Sequence, residues 1–201
     1  HPDVTPDGWD SRELLSPHEV LSSGTTLFAS LQQLHILRWL SPILHNRWLF
    51  NERPEDWKGV ELENGQVVGL DLESIDTQTA AFWAQLKSFP SLKRLYLNGN
   101  QLTSLPAEIW QLTSLEVLFL NGNQLTSVPA EIWQLTSLKV LYLNGNQLTS
   151  VPAEIGQLTS LQQLYLDGNE LTSLPAEMGQ LTSLTWLHLG NNELTSLPAE
   201  I

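Results

Sequence analysis

From Val67 onward the apolar positions follow one rule. Leu92, Leu115, Leu138, Leu161 and Leu184 lie 23 residues apart, and each opens the same pattern. The segments are LKRLYLNGNQL, LEVLFLNGNQL, LKVLYLNGNQL, LQQLYLDGNEL and LTWLHLGNNEL, that is, L-x-x-L-x-L-x-x-N-x-L. Within each, a residue such as Tyr96 between Leu95 and Leu97 alternates with buried neighbours, which predicts a short strand. Leu102, Leu105, Ile109 and Leu112 complete the apolar set of the unit, and Pro106 predicts a turn into an outer arc rather than a second strand. A unit of this size cannot bury its own leucines. Units must therefore stack, strand beside parallel strand, around one continuous core.

The polar positions of the repeat have predicted mechanical roles. Asn100, Asn123, Asn146, Asn169 and Asn192 stand where the chain leaves each strand, and an amide there can bond backbone groups that the bend leaves unpaired. The glycines of the NGN triplets allow a tight bend. They form no phosphate loop, because neither GxGxxG nor GxxxxGK[ST] occurs.

Upstream the pattern changes. Val67–Leu72 predicts the strand of one degenerate unit, and Thr77–Phe89 predicts a helix with Ala81, Trp83, Ala84 and Leu86 facing inward. Asn64-Gly65, between alternating apolar runs, is the preferred type I′ pair and predicts a hairpin of Val60–Leu62 with Val67–Leu70. Ser16-Pro17-His18-Glu19 is a capping box with Pro at the first helical position. Thr26 is placed to cap a helix over Leu27–Leu40, and Ser41-Pro42 to restart one toward Phe50. These helices carry a wide apolar stripe and are expected to pack on the solenoid.

These motifs resemble the leucine-rich repeat family. With LPxxIxxL in the outer arc, the units are most similar to the 23-residue class found in Ras-interacting scaffold proteins. WKGVELENGQVVGLDL resembles the N-terminal cap of plant-type leucine-rich repeats, without its usual cysteine. The resemblance implies an α/β fold: a leucine-rich-repeat solenoid with a parallel sheet on its concave face. Residues 1–66 would form a helical and β-hairpin cap. Residues 67–201 would form one degenerate and five regular repeats, the last truncated. The resemblance also implies regulatory protein partners, such as small GTPases or phosphatases.

The chain stops eighteen residues into a unit. An open end there would expose Leu184, Leu187, Leu189, Leu194 and Leu197, which predicts further residues or a capping partner.

Composition narrows the chemistry. The formal net charge is −13, and residues 95–201 carry nine acids against the single base Lys139. Such a surface repels phosphate and argues against nucleic acid and anionic membranes. No apolar run reaches the ~18 residues of a membrane helix. Cysteine is absent, which excludes thiolate sites and leans toward a reducing, intracellular setting.

No HExxH, calcium loop or nucleophile–base arrangement is present, so no catalytic residue, metal ligand or cofactor is expected. Glu108, Glu131, Glu154, Glu177 and Glu200 recur once per unit and suit a solvated edge. The Thr-Ser ladders suit exposed turns, with ordering of water or ice as a minor alternative.

Recognition should sit where units vary. At the central strand position the series is Asp71, Tyr96, Phe119, Tyr142, Tyr165, His188. Two positions earlier it is Gly69, Arg94, Val117, Val140, Gln163, Trp186. This predicts an aromatic column on the concave face, where Arg94, Tyr96, Phe119, Tyr142, Tyr165, Trp186 and His188 would bind a protein or peptide. Cross-strand packing alone is the structural alternative. Trp110 and Trp133, followed by Gly156 and Gly179, form a second varying position and a candidate convex contact. The functional expectation is a non-catalytic recognition or scaffold module. The alternative is a structural subunit held through its caps and convex face.

Overall fold

The computed structural model describes residue 33, residues 59–73 and residues 80–201. The helices expected before Trp57 lie outside the described residues, apart from Gln33. That side chain is buried and donates from Nε2 to the Ser88 carbonyl at 2.8 Å.

Among the described residues seven strands form one sheet in chain order. β1 (Val60–Glu63) runs antiparallel to β2 (Gln66–Asp71), with a register shift between Glu61 and Leu62. Asn64 and Gly65 between them have φ of 50° and 73°. Two successive positive φ values are what a type I′ turn requires. β3 (Arg94–Tyr96), β4 (Val117–Phe119), β5 (Val140–Tyr142), β6 (Gln163–Tyr165) and β7 (Trp186–His188) then add in parallel. Their partners are offset by one repeat throughout, as in Leu95 with Leu118 and Leu118 with Leu141.

After each of β3 to β6 the chain crosses to a one-turn 3₁₀ helix on the outer arc: Ala107–Gln111, Ala130–Gln134, Ala153–Gln157 and Ala176–Gln180. Each follows a proline at φ between −63° and −73°, close to the angle that the pyrrolidine ring imposes. The core lies between sheet and arc. Leu95, Leu118, Leu141 and Leu164 on the sheet side, with Ile109 and Ile132 on the arc side, are fully buried.

The asparagine ladder stitches rung to rung. Asn123 Oδ1 accepts the N–H groups of Asn100 and Leu102, both at 3.0 Å, and Nδ2 donates to the carbonyls of Leu97 and Leu120, both at 2.9 Å. Asn146, Asn169 and Asn192 each repeat three of these four bonds, one leucine N–H to Oδ1 and two leucine carbonyls from Nδ2. A single amide thus satisfies backbone groups on two consecutive units. Gly99, Gly122, Gly145 and Gly168 hold φ between 62° and 68°, the left-handed region where a Cβ is costly.

A helix, α1, spans Ala80–Leu86, inside the expected Thr77–Phe89. At its end Phe89 N–H bonds the Leu86 carbonyl in a tighter turn. Pro90 disfavours helical geometry at the residue before it, which accounts for the early stop. Trp83, Leu86 and Phe89 are buried at the start of the core. At the other end Leu184, Leu187, Leu189 and Leu194 are half-buried and Leu197 is exposed.

Candidate functional site

The parallel register sets one residue of each strand directly beside its counterpart one repeat away. Asp71, Tyr96, Phe119, Tyr142, Tyr165 and His188 therefore form a single column on the concave face. From Tyr96 to His188 the rings stack continuously. Their centroids are separated by 4.8, 4.3, 4.1 and 4.6 Å, with interplanar angles from 5° to 20°. These spacings follow from strands ~4.8 Å apart that all point the same side chain the same way.

Stacking occupies the ring faces, so the column presents ring edges and phenol hydroxyls to the groove. Burial pushes the Tyr96 phenol above its usual ionisation range, and the charge of Glu61 adds to the effect. Tyr142 is raised in the same direction, by burial first and then by its hydrogen bond and proximity to Tyr165. The Tyr165 hydroxyl donates to Gln163 Oε1 at 3.3 Å.

The flanking column ends in two different ways. Arg94 pairs with Glu61 through Nε and with Glu63 through Nη2 at 3.5 Å, while Lys93 also pairs with Glu63. These contacts hold the guanidinium charged, above its already high ionisation range, the bond to Glu61 being the main cause. Trp186 is 57% exposed. Its ring centroid lies 6.4 Å from that of His188. His188 Nδ1 in turn stands 4.0 Å from Asp167 Oδ1.

Beside the aromatic column runs a shallow trough lined by Glu73, Tyr96, Asn98, Phe119, Asn121, Tyr142 and Asn144. The Oδ1 atoms of Asn121 and Asn144 are buried without a partner among the described residues. Asn98, Asn121 and Asn144 recur 23 residues apart, and that spacing is the sequence signal that aligns them along the sheet. The Glu61 and Glu63 clamp on Arg94 was not anticipated; the alternation of β1 was its only sequence signal.

On the outer arc, Trp110 is 4% exposed and belongs to the core, whereas Trp133 is 41% exposed. The turn carrying Trp110 packs against α1. At Gly156, a Cβ would stand 2.5 Å from the Glu177 carbonyl oxygen; the absence of a side chain there lets neighbouring turns approach.

Among the described residues no helix is long and apolar enough to cross a membrane. Among the same residues no group of three or more His, Asp or Glu side chains converges as a metal site would require.

A right-ordered stack of parallel strands, asparagine-stitched bends and a concave aromatic column defines a leucine-rich-repeat solenoid. The chain belongs to the leucine-rich repeat family: a leucine-rich repeat region matches over residues 66–169, more than half its length, and a leucine rich repeat over residues 159–200. No curated protein matches the chain.

Several solved structures are similar. A leucine-rich-repeat protein of Leptospira interrogans is 38% identical with a TM-score of 0.60, covering 65% of this chain and 39% of its own. A plant ice-binding protein is 26% identical with a TM-score of 0.68, covering 86% of this chain and 58% of its own. The ectodomain of the plant membrane receptor kinase GASSHO1/SCHENGEN3 from Arabidopsis thaliana, in complex with Casparian strip integrity factor 2, is 41% identical with a TM-score of 0.51. It covers 56% of this chain and 14% of its own. The chain thus spans less than two thirds of each of these proteins.

Proposed function

We propose that the chain is a non-catalytic recognition module that binds a protein or peptide on its concave aromatic face. The observation that carries this reading is the unbroken stack from Tyr96 to His188, flanked by the exposed indole of Trp186. Tyr and Trp offer large contact area at low entropic cost and dominate binding energy at interfaces. The similar receptor ectodomain is seen with a bound factor, which supports the same class of role here.

The test pairs affinity capture of a partner with the Tyr142→Ala/Tyr165→Ala variant. Loss of about tenfold or more in affinity is the expected outcome for two hot-spot rings. An unchanged affinity in a folded variant would remove the concave face from the interface.

Two observations favour other readings. Trp133 is exposed on the outer arc, as a subunit held through its convex face would need. A single stoichiometric native complex that survives the concave substitutions would support that alternative. Thr103, Thr126, Thr149, Thr172 and Thr195 are all exposed in one repeat-spaced ladder, and one similar structure is an ice-binding protein. Measurable thermal hysteresis at micromolar protein would favour ordered water as the ligand.

A further inference from the structure

We propose that the concave face seats an extended polypeptide segment carrying two basic side chains about six residues apart, one held by Asp71 and the other by Asp167. This inference rests on the concave-face reading and specifies the chemistry of the partner.

The charge balance of the face comes first. Among the described residues the cations beside the sheet are paired: Lys93 with Glu63, Arg94 with Glu61 and Glu63, and Lys139 with Glu116 at 2.8 Å. Asp71 and Asp167 form no ion pair with lysine or arginine among the described residues. Each uses one carboxylate oxygen to accept a backbone N–H: from Glu73 at 3.0 Å and from Gly190 at 3.2 Å, respectively. These bonds fix each carboxylate and leave its second oxygen for a partner. The surrounding solenoid, with nine acids and one base over residues 95–201, draws a cationic ligand toward the face and repels an anionic one.

The spacing then selects the ligand. Asp71 ends β2 and Asp167 follows β6, four strands further along the sheet. Four steps of ~4.8 Å, with the offset along the strand, put the carboxylates on the order of 20 Å apart. An extended chain rises ~3.3 Å per residue, so six residues cover that span. Six is even, which returns both basic side chains to the same face of the extended segment.

Between the two acids the groove is lined by neutral side chains, the Tyr96, Phe119 and Tyr142 rings and the Asn98, Asn121 and Asn144 amides, with Glu73 beside Asp71 at its first end. These suit backbone carbonyls and small polar side chains rather than a third charge. At the far end the exposed Trp186 indole offers a free aromatic surface beside the His188–Asp167 pair. A planar guanidinium can stack there while it bonds a carboxylate.

The probe is a labelled peptide Arg-Ser-Thr-Ser-Thr-Ser-Arg, titrated by fluorescence anisotropy against the whole chain. The control is Arg-Arg-Ser-Thr-Ser-Thr-Ser, of identical composition and charge. The spaced peptide is expected to bind about tenfold tighter, the order that an exposed ion pair and a guanidinium–indole contact supply together. D71N and D167N, which keep the shape and the backbone bond, should each reduce it to the level of the control. Equal affinity for the two peptides, no binding of either, or indifference to both substitutions would overturn the proposal.

A captured partner separates this failure from failure of the concave reading. Loss of that partner in Tyr142→Ala/Tyr165→Ala, with full retention in D71N and D167N, rejects the paired-cation ligand and keeps the concave site. Retention of the spaced peptide in the tyrosine variant, with loss in D71N and D167N, keeps the paired cations and rejects the aromatic anchors.

Discussion

Asn123 concentrates more structural work than any single leucine. Its four hydrogen bonds satisfy two N–H groups and two carbonyls on consecutive bends, and the residue is 6% exposed. Asn123→Ala would remove the acceptor of the Asn100 and Leu102 N–H groups and the donor to the Leu97 carbonyl, while the Leu120 carbonyl keeps the Asn146 amide at 3.0 Å. The expected cost is on the order of 3 kcal/mol or more, since each orphaned group costs about 1–3 kcal/mol. Urea unfolding followed by circular dichroism checks it; a shift in midpoint no larger than that of an exposed Gln124→Ala change would contradict the role.

The asparagine's function was legible because a polar residue recurring at a fixed place among leucines has to serve the backbone. The burial of Trp110 was not. Trp110 and Trp133 sit in the same AEIWQ pentapeptide, yet one is 4% and the other 41% exposed. The difference comes from what lies beside each turn, α1 in the first case, and local sequence does not encode it.

At the scale of elements, the hairpin β1–β2 covers the first edge of the parallel sheet and joins it through charge as well as backbone. The Lys93 and Arg94 partners hold the Glu63 carboxyl below its usual ionisation range, the Lys93 hydrogen bond being the largest cause. A depressed carboxylate contributes stability above its unfolded value, and that contribution fades as pH falls through the lower, folded value. Below about pH 4.5, the ordinary carboxyl value, the hydrogen-exchange protection factors of the β1 amides should fall while those of β5 hold. Glu63→Gln should remove that difference in pH response. Equal acid response in wild type and variant would mean that the ion pair does not anchor the hairpin.

The hairpin was readable from Asn64-Gly65 and its flanking alternation, because a two-residue loop fixes its own register. Its hold on Arg94 was not, since Glu61 and Glu63 are more than thirty residues away along the chain. The aromatic column was predicted by position. Mutual stacking, which closes the ring faces and leaves the edges, became visible only with the spacing and tilt of the rings.

The described repeats form a one-dimensional stack in which each unit touches its neighbours. Excision of residues 140–162, one full period, should therefore leave a folded and shorter solenoid with the same circular dichroism signature and a lower thermal midpoint. Excision of residues 140–150 should break the register of every later leucine and asparagine and abolish cooperative melting. Comparable melting of the two deletions would show that the periodic register does not control the fold.

The 23-residue spacing by itself determined the solenoid, its parallel sheet and the asparagine-stitched bends. Those features follow from a requirement that each unit meets identically: leucines must be buried by neighbours and bend groups must be bonded. Tertiary structure alone decided which surfaces remain open. It neutralised Arg94, Lys93 and Lys139, left Asp71 and Asp167 unpaired with lysine or arginine among the described residues, buried Trp110 and exposed Trp133 and Trp186. Exposure and charge pairing depend on groups brought together from distant parts of the chain, and periodicity carries no information about them.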